Sequence, residues 1–207
     1  MRDYNELTKL ELDTLKEVGS IGTGNAATAL SGLIGQEIRL RDPEVRIMEY
    51  NEAIDWIGGP EEITAGVMVA LSGQISGIML SVQKLEFINL ITENMLGTKV
   101  EDYFGLREME TSALIEVGNI MISTFINALT SLAGIHVDLT VPAFTVDMQG
   151  AVMTVPMAAY GGQSNYIMTI GGKFICNGRE EPCRLLLSPD IRSLDFLLRK
   201  LGVDSGD

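Results

Sequence analysis

The chain has 207 residues, which suits one large domain or two small fused units, and it carries 15 lysine and arginine residues against 28 aspartate and glutamate residues. The net charge of −13 would repel nucleic-acid phosphates and anionic lipids, so neither nucleic acid nor a membrane surface is an expected partner. The longest apolar run, 120–137, is interrupted by polar residues, and the amino terminus lacks the apolar segment of a signal peptide. We therefore expect a cytoplasmic protein without membrane insertion.

The first half of the chain predicts a long helix, three strands and a short helix. Thr8 and Glu11 form a capping-box pattern at the start of the long helix. Apolar or small residues then recur on one side of it at helical spacing: Leu15, Gly22, Ala26, Ala29 and Leu33. Strand-like runs follow at 44–50, 64–71 and 75–82, and an amphipathic segment at 85–96 predicts the closing helix.

The second half predicts the same order of elements. Its long helix has an apolar side formed by Leu114, Met121, Phe125, Ala128 and Leu132. Strands are expected at 143–152, 164–170 and 182–187, and a short helix at 191–201. The register between the halves shifts late in the chain, which predicts a longer loop around 173–182 in the second half.

The two halves are also similar residue by residue. One shift of the chain places Glu17 on Glu116, and the same shift superimposes several other identical pairs, among them Gly19 on Gly118 and Pro43 on Pro142. We therefore predict a single domain made of two homologous halves, about 1–100 and 101–207. Because each unit cannot close most of its own sheet edge, we expect an α/β fold of the α+β type. Its pseudo-twofold halves would share a mainly antiparallel six-stranded sheet with packed helices.

Cysteine and histidine are too scarce for several common chemistries. Cys176 and Cys183 could face each other across a hairpin, but a disulfide is disfavoured in a cytosolic protein. A zinc site needs about four ligands and His136 is the only histidine, so neither zinc binding nor histidine-based catalysis is expected. The glycine-rich segment 19–25 has no preceding strand and lacks the Lys-Ser/Thr ending of a phosphate-binding loop.

A polar stripe runs along each long helix, opposite the apolar side. In the second helix it is formed by Ser112, Glu116, Asn119 and Ser123. In the first helix the same positions hold Asp13, Glu17, Ser20 and Gly24. The ordinary interpretation of such a stripe is a solvated helix face, but here it recurs in both halves with its glutamate kept.

Small residues accompany both stripes: Gly19, Gly22, Gly24, Gly118 and Ser123. Glycine inside a helix costs about 1 kcal/mol relative to alanine, so these positions indicate a need for close approach. We expect a surface that allows another backbone to come close, with tight packing between the two long helices as the alternative.

The stripes carry a longer motif: aspartate or serine, three residues, glutamate, two residues, asparagine, twenty-two residues, proline. In the second half the motif is complete, in Ser112, Glu116, Asn119 and Pro142. In the first half Asp13, Glu17 and Pro43 fit, and Ser20 stands where the motif has asparagine. On these residues the chain resembles, over nearly its whole length, the CheC/CheX/FliY family of bacterial chemotaxis phosphatases.

The resemblance implies that the chain dephosphorylates a CheY-type response regulator, which supplies its own aspartyl phosphate, Mg²⁺ and a lysine. No cofactor and no metal would then belong to this chain. Phosphoryl transfer needs positioning more than covalent catalysis, and the neutral amide of Asn119 could orient the attacking water. Glu116 would pair with the regulator's lysine and fix the docking register. Ser112 would contribute to partner binding.

Ser20 makes the first site different from the second. Its side chain is short and has no amide, so we expect a first site that is weak or inactive, while Asp13 and Glu17 still bind the partner. A bridging water would be needed for Ser20 to hold the attacking water. Asn25 lies about 80° further round the helix than Glu17 and cannot easily replace the missing asparagine.

The resemblance also implies a second partner, the receptor deamidase CheD, which raises the activity of such phosphatases. Asp147 is our candidate for part of that surface, although an acid at a strand end is its ordinary interpretation. Two related units that each keep a long helix favour a monomer. The alternative function is a non-catalytic adaptor that binds CheD or a response regulator.

Overall fold

The computed structural model describes residues 7–203, which form six α-helices and a seven-stranded sheet. The elements of the first half are α1 (Lys9–Ile34), β1 (Arg39–Glu49), α2 (Tyr50–Ile57), β2 (Ile63–Gly73), β3 (Gly77–Gln83) and α3 (Leu85–Leu96). Those of the second half are α4 (Glu108–Ala133), β4 (Val137–Leu139), β5 (Ala143–Met148), α5 (Gln149–Tyr160), β6 (Tyr166–Cys176), β7 (Arg179–Pro189) and α6 (Ile191–Lys200). A short 3₁₀ turn, Tyr103–Gly105, precedes α4.

Both long helices begin with a cap in which a glutamate of the first turn accepts from the N-cap residue, and the cap of α1 is reciprocal. The Thr8 N–H donates to the Glu11 carboxylate at 2.7 Å, and the Glu11 N–H donates to the Thr8 hydroxyl at 3.3 Å, so the predicted capping box is confirmed. At the start of α4 the Arg107 N–H donates to the Glu110 carboxylate at 3.2 Å, and the Arg107 guanidinium donates to it at 2.8 Å. These contacts satisfy backbone donors that the first turn of a helix leaves free.

The two halves share one sheet, in which a strand from each half pairs with a strand of the other half. Its order is β1-β6-β7-β3-β2, and both β4 and β5 pair with the outer side of β2. All pairs are antiparallel, and β3 meets β7 at the centre. β1 completes the hairpin of the second half, and β5 completes that of the first half. The predicted α+β class, with one mainly antiparallel sheet shared by both halves, is confirmed.

Helices cover both faces of this sheet, because successive side chains of a strand point to opposite faces. One core contains residues of α1, α3, α4 and α6, together with strand residues such as Val67 and Val69. The second core contains residues of α2 and α5, together with strand residues such as Leu80 and Leu186. The long helices therefore lie on one face of the sheet, and α2 and α5 lie on the other.

The apolar sides of the long helices pack on the sheet largely as predicted. Leu33 and Leu132 are exceptions: they are exposed, and Leu30 and Leu129 occupy the core positions instead.

Within residues 7–203, α4 is the one helix long and apolar enough to cross a membrane. Just over half, 56%, of that apolar window is buried inside the fold, as in the core helix of a soluble protein.

Two helices were not predicted. The segment predicted as strand 143–152 is a strand only as far as Met148, and α5 begins at the next residue. The segment predicted as strand 44–50 likewise gives way to α2 at its end. The Gln149 N–H donates to the Glu62 carbonyl at 2.8 Å, and its side-chain amide donates to the Ile54 carbonyl at 2.6 Å. These bonds link the start of α5 to segments distant in sequence, so tertiary contacts override the strand-like composition there.

The predicted loop around 173–182 is wrong. β6 and β7 continue through this segment as a hairpin, closed by a two-residue turn at Asn177 and Gly178 with φ values of 51° and 78°. Asn-Gly is the preferred sequence for such a turn because both residues need positive φ. The predicted count of six strands is also wrong, because the three residues of β4 pair with β2 as a seventh strand.

The cysteines lie on this hairpin but do not face each other. Cys176 is opposite Arg179 and Cys183 is opposite Gly172, and both thiols are free and buried. Burial raises the pKa of the Cys183 thiol to about 12.

His136 is exposed, with its Nε2 3.1 Å from a carboxylate oxygen of Asp138. Residues 7–203 contain no group of three or more His, Cys, Asp or Glu placed to hold a metal ion.

Candidate functional site

The polar stripes lie on the outer surface of the two long helices, on the side away from the sheet. Glu17 of α1 and Glu116 of α4 are exposed, whereas the residues that follow them, Val18 and Val117, are buried in the core. This change within one residue follows from the helical period, which turns each successive side chain by about 100°.

Glu116 and Asn119 form the second site. They are one helical turn apart, about 4.5 Å along the axis, and lie on the same side of α4. Glu116 is exposed and Asn119 is partly exposed, and neither side chain bonds to another residue of the described chain. Ser112 is exposed one turn before Glu116. The surface thus presents a carboxylate, an amide and a hydroxyl that are all available to a partner.

Glu17 and Ser20 form the first site, on α1. Glu17 is exposed and, within residues 7–203, its carboxylate has no bonded partner. Asp13 accepts a hydrogen bond from the Lys16 ammonium at 3.2 Å, but both side chains are more than half exposed, so this ion pair adds little stability. Ser20 is half-buried and offers only a hydroxyl, one bond closer to the backbone than the amide of an asparagine.

The glycines beside the stripes pack the helices against the sheet. A Cβ atom added to Gly19 would lie 2.1 Å from a methyl carbon of Val45 in β1. A Cβ atom added to Gly118 would lie 2.5 Å from the Cβ of Val67 in β2. Both glycines are buried, so the expectation that they open the surface to a partner is wrong: they let α1 and α4 approach their strands closely.

A third glycine packs the two long helices against each other. A Cβ atom added to Gly22 would lie 2.5 Å from the ring of Phe125, which is the helix packing that the sequence left as an alternative. Ser123 donates its hydroxyl to the Ile120 carbonyl of its own helix. Gly24 differs from the others, because nothing lies within 4 Å of a Cβ atom built there.

Asp147 lies apart from both stripes. It pairs with Thr64 at the end of β5, is exposed, and accepts a hydrogen bond from the Met148 N–H at 2.7 Å. Thr145, two residues earlier on the same face of the strand, lies beside Val152 of α5 around Gly66. Asp147 therefore belongs to the α5 side of the sheet, whereas Glu116 and Asn119 lie on the α4 side.

Two exposed apolar side chains near the stripes were missed from the sequence. Leu10 of α1 is 65% exposed and Met109 of α4 is 68% exposed. Each lies seven residues before the stripe glutamate of its helix, which places it within about 20° of that glutamate around the helix axis. The sequence could have indicated them, because both halves have an apolar residue at the same position of the repeat, on the polar side of the long helix. Phe104, just before α4, is also 89% exposed.

Comparison with known proteins connects this site to a family. The model of the CheC-like family matches residues 10–46 and 109–146, the two segments that contain the stripes and the motif prolines. The chain is 25% identical over 206 residues to the CheY-P phosphatase CheC of Bacillus subtilis (strain 168), covering 98% of this chain and 99% of the relative. The chain is therefore similar to the CheC-like family in both segments that carry the motif.

Two further matches are proteins named FliY. The chain is 28% identical over 142 residues to the flagellar motor switch phosphatase FliY of Bacillus subtilis, which covers 68% of this chain and 36% of that protein. The crystal structure of Thermotoga maritima FliY matches with a TM-score of 0.72 at 20% identity, covering 95% of this chain and 98% of that one. The structural likeness establishes a shared fold.

Proposed function

We propose that this chain is a phosphatase that hydrolyses the aspartyl phosphate of a CheY-type response regulator. The observation that carries the proposal is the Glu116–Asn119 pair, a carboxylate and an amide without partners on one exposed helix face. The pair stands in a chain that is similar over 98% of its length to a relative named as a CheY-P phosphatase. Such a surface suits a partner that brings the reacting group with it.

Asn119 is the residue we assign to catalysis. Its amide can accept a hydrogen bond from a water molecule and hold it in line with the phosphorus atom. Because the amide is neutral, it neither repels the phosphoryl group nor competes with water as a nucleophile. The regulator supplies the aspartyl phosphate and the Mg²⁺ that neutralises it, so this chain needs no cofactor of its own.

Glu116 is the residue we assign to docking. It is exposed one turn from Asn119, and a carboxylate there pairs with a lysine in the regulator's active site. Ser112 and the exposed side chain of Met109 extend the same helix face toward its amino terminus. An apolar anchor beside polar contacts is typical of the residues that dominate binding at protein interfaces.

The first site is the weaker of the two in this proposal. Asp13 and Glu17 retain the docking carboxylates, and Leu10 is exposed where α4 has Met109. Ser20, however, does not reach the position that the Asn119 amide takes in the second site. We propose that α1 binds the regulator but contributes little to hydrolysis.

A non-catalytic adaptor is the second candidate function, and Ser20 is the observation that favours it. An adaptor would use the stripes only for docking and would bind CheD through a separate surface. Asp147 lies exposed on the α5 side of the sheet, and it is our candidate for part of that surface. We propose that the chain acts as a monomer in either case.

The loss of acid-labile phosphate from a phosphorylated CheY-type regulator in Mg²⁺ separates these functions. We expect the wild-type chain to accelerate the loss, and Asn119→Ala to reduce the acceleration by about 10- to 100-fold, because the water is no longer positioned. Asn127→Ala, which removes an exposed amide from the same helix, is the matched control and should keep full activity. No acceleration by the wild-type chain, with or without CheD, would support the adaptor.

A further inference from the structure

A cavity of about 350 Å³ lies on the α2 side of the sheet, away from both stripes. It is bounded by β1, by Trp56 of α2 and by the β6–β7 hairpin. The guanidinium carbon of Arg184 lies 4.3 Å from the centre of the Trp56 ring, within the range of a cation–π contact. The volume falls at the lower end of the range for small-molecule sites.

The backbone of β1 is irregular where the strand borders this cavity. The register between β1 and β6 shifts between Arg41 and Glu44, and Asp42 between them has a φ of 50°. Positive φ is uncommon for residues other than glycine, and bulges of this kind are frequent beside functional sites. Gly171 of β6 lets the indole approach the strand, because a Cβ atom there would lie 2.9 Å from the Trp56 ring.

Arg184 is a cation that the surrounding acids do not neutralise by direct contact. Its Nε is buried without an acceptor, and its guanidinium has no hydrogen bond or ion pair within residues 7–203. The neighbouring carboxylates hold other cations, in the pairs Glu44–Arg46, Glu180–Arg41 and Glu62–Lys84. Burial lowers the pKa of Arg184, as expected for a charge that has lost water without gaining a bonded partner.

The same chemistry is absent from the other half of the fold. α2 begins at Tyr50 and α5 at Gln149, so the position of Trp56 corresponds to Val155. Aligning the starts of α3 and α6 places Ile78 at the position of Arg184. The fold therefore does not require an indole and a guanidinium at these positions, because apolar side chains occupy the corresponding positions of the other half.

We propose that the Trp56–Arg184 cavity binds a small molecule through a carboxylate or phosphate group. The planar guanidinium presents N–H donors in a fork that matches either oxyanion, and its face already rests on the indole. The bound anion would accept hydrogen bonds from guanidinium N–H groups of Arg184, which lines the cavity and has no acceptor within residues 7–203. The cavity lies on the opposite side of the sheet from Asn119, so this inference does not depend on the proposed phosphatase activity.

Fluorescence provides a direct test, because Trp56 is the only tryptophan in the chain. The full chain is titrated with sodium phosphate and, separately, with sodium malonate, while sodium chloride keeps the ionic strength constant. We expect a saturable change in tryptophan emission with at least one anion, at a midpoint below about 10 mM. The anion with the lower midpoint identifies the preferred group. A linear or absent response to both anions overturns the proposal.

Two variants test whether Arg184 is responsible. Arg184→Gln should raise the midpoint tenfold or more, whereas Lys173→Gln removes a charge from the rim of the same cavity and should change it less than twofold. The same anion should also raise the melting temperature of the wild type and of Lys173→Gln more than that of Arg184→Gln, since a ligand bound at Arg184 adds its stabilisation to the general effect of the salt. Equal responses in wild type and Arg184→Gln, or equal losses in both variants, contradict the proposal.

Discussion

At the scale of single residues, Asn119 and Ser20 occupy the same position on two similar helices but differ in reach and chemistry. The amide of Asn119 offers both an acceptor and donors beyond its Cγ atom, whereas the Ser20 hydroxyl is attached directly to Cβ. The neighbouring glutamates, Glu116 and Glu17, are both exposed. If both helices dock a regulator, the third position of the motif decides which of them completes the reaction.

Glu116 should affect binding of the regulator more than the chemical step. In the proposed docking, Glu116→Lys would place a cation opposite a lysine of the regulator, so we expect KM to rise about tenfold or more while kcat changes less than about twofold. Steady-state kinetics at several regulator concentrations separate the two constants.

Glu52→Lys, on the exposed side of α2, is the matched control for that charge reversal. It changes the net charge equally but lies on the opposite face of the sheet from α4, so KM should stay near the wild-type value. A similar rise in KM for both variants would mean that overall charge, and not a contact at Glu116, controls docking.

At the scale of elements, the fit of α4 against β2 depends on Gly118. A Cβ atom there would lie 2.5 Å from the Cβ of Val67, so Gly118→Ala should force the helix away from the sheet. We expect a loss of about 1–3 kcal/mol in the free energy of unfolding, measured by urea denaturation. Gly24→Ala is the matched control: with open space around it, the change should stabilise the protein by up to about 1 kcal/mol. Equal stability of the two variants would contradict this packing.

The cap of α4 should make stability depend on pH. The hydrogen bond from the Arg107 guanidinium is the main cause that holds the pKa of Glu110 below its ordinary value of 4.5. A carboxyl group whose pKa is lowered by folding stabilises the folded state above its unfolded-state pKa, and this contribution is lost as the pH falls through the folded-state pKa.

Glu110→Gln should therefore lower the melting temperature at neutral pH. The difference from wild type should shrink as the pH falls below about 4.5, where the ionised form is progressively lost in both states. Melting curves recorded between about pH 3 and pH 8 measure this difference. A constant difference across that range would show that the charge of Glu110 contributes nothing to the cap.

At the scale of the whole molecule, local patterns predicted the elements that have an uninterrupted pattern and missed those that depend on distant contacts. The predicted short helix at 85–96 matches α3, Leu85–Leu96, because its amphipathic pattern is uninterrupted. α2 and α5 were missed because their starts are held by distant groups, such as the Glu62 carbonyl that accepts from the Gln149 N–H. The exchange of β1 and β5 between the halves follows from the open edges that the sequence implied, but the number of strands does not.

The exposed residues of the candidate site were easier to predict from the sequence than the buried glycines that pack its helices on the sheet. Glu116 and Asn119 depend only on helical spacing, so the sequence places them correctly on one exposed face. The function of Gly19 depends on Val45, and that of Gly118 on Val67, which meet them only through tertiary packing. The Trp56–Arg184 cavity was missed for the same reason, since more than a hundred residues of chain separate its two main side chains.

One measurement tests the central claim that asparagine at the third motif position determines which helix is active. The rate of phosphate loss from a phosphorylated CheY-type regulator is compared for wild type, Asn119→Ala, Ser20→Asn and the double variant Ser20→Asn/Asn119→Ala. We expect Ser20→Asn to raise the rate up to about twofold, because two sites then work, and the double variant to recover activity that Asn119→Ala loses. A double variant as inactive as Asn119→Ala alone would contradict the account, because α1 would then lack more than an asparagine.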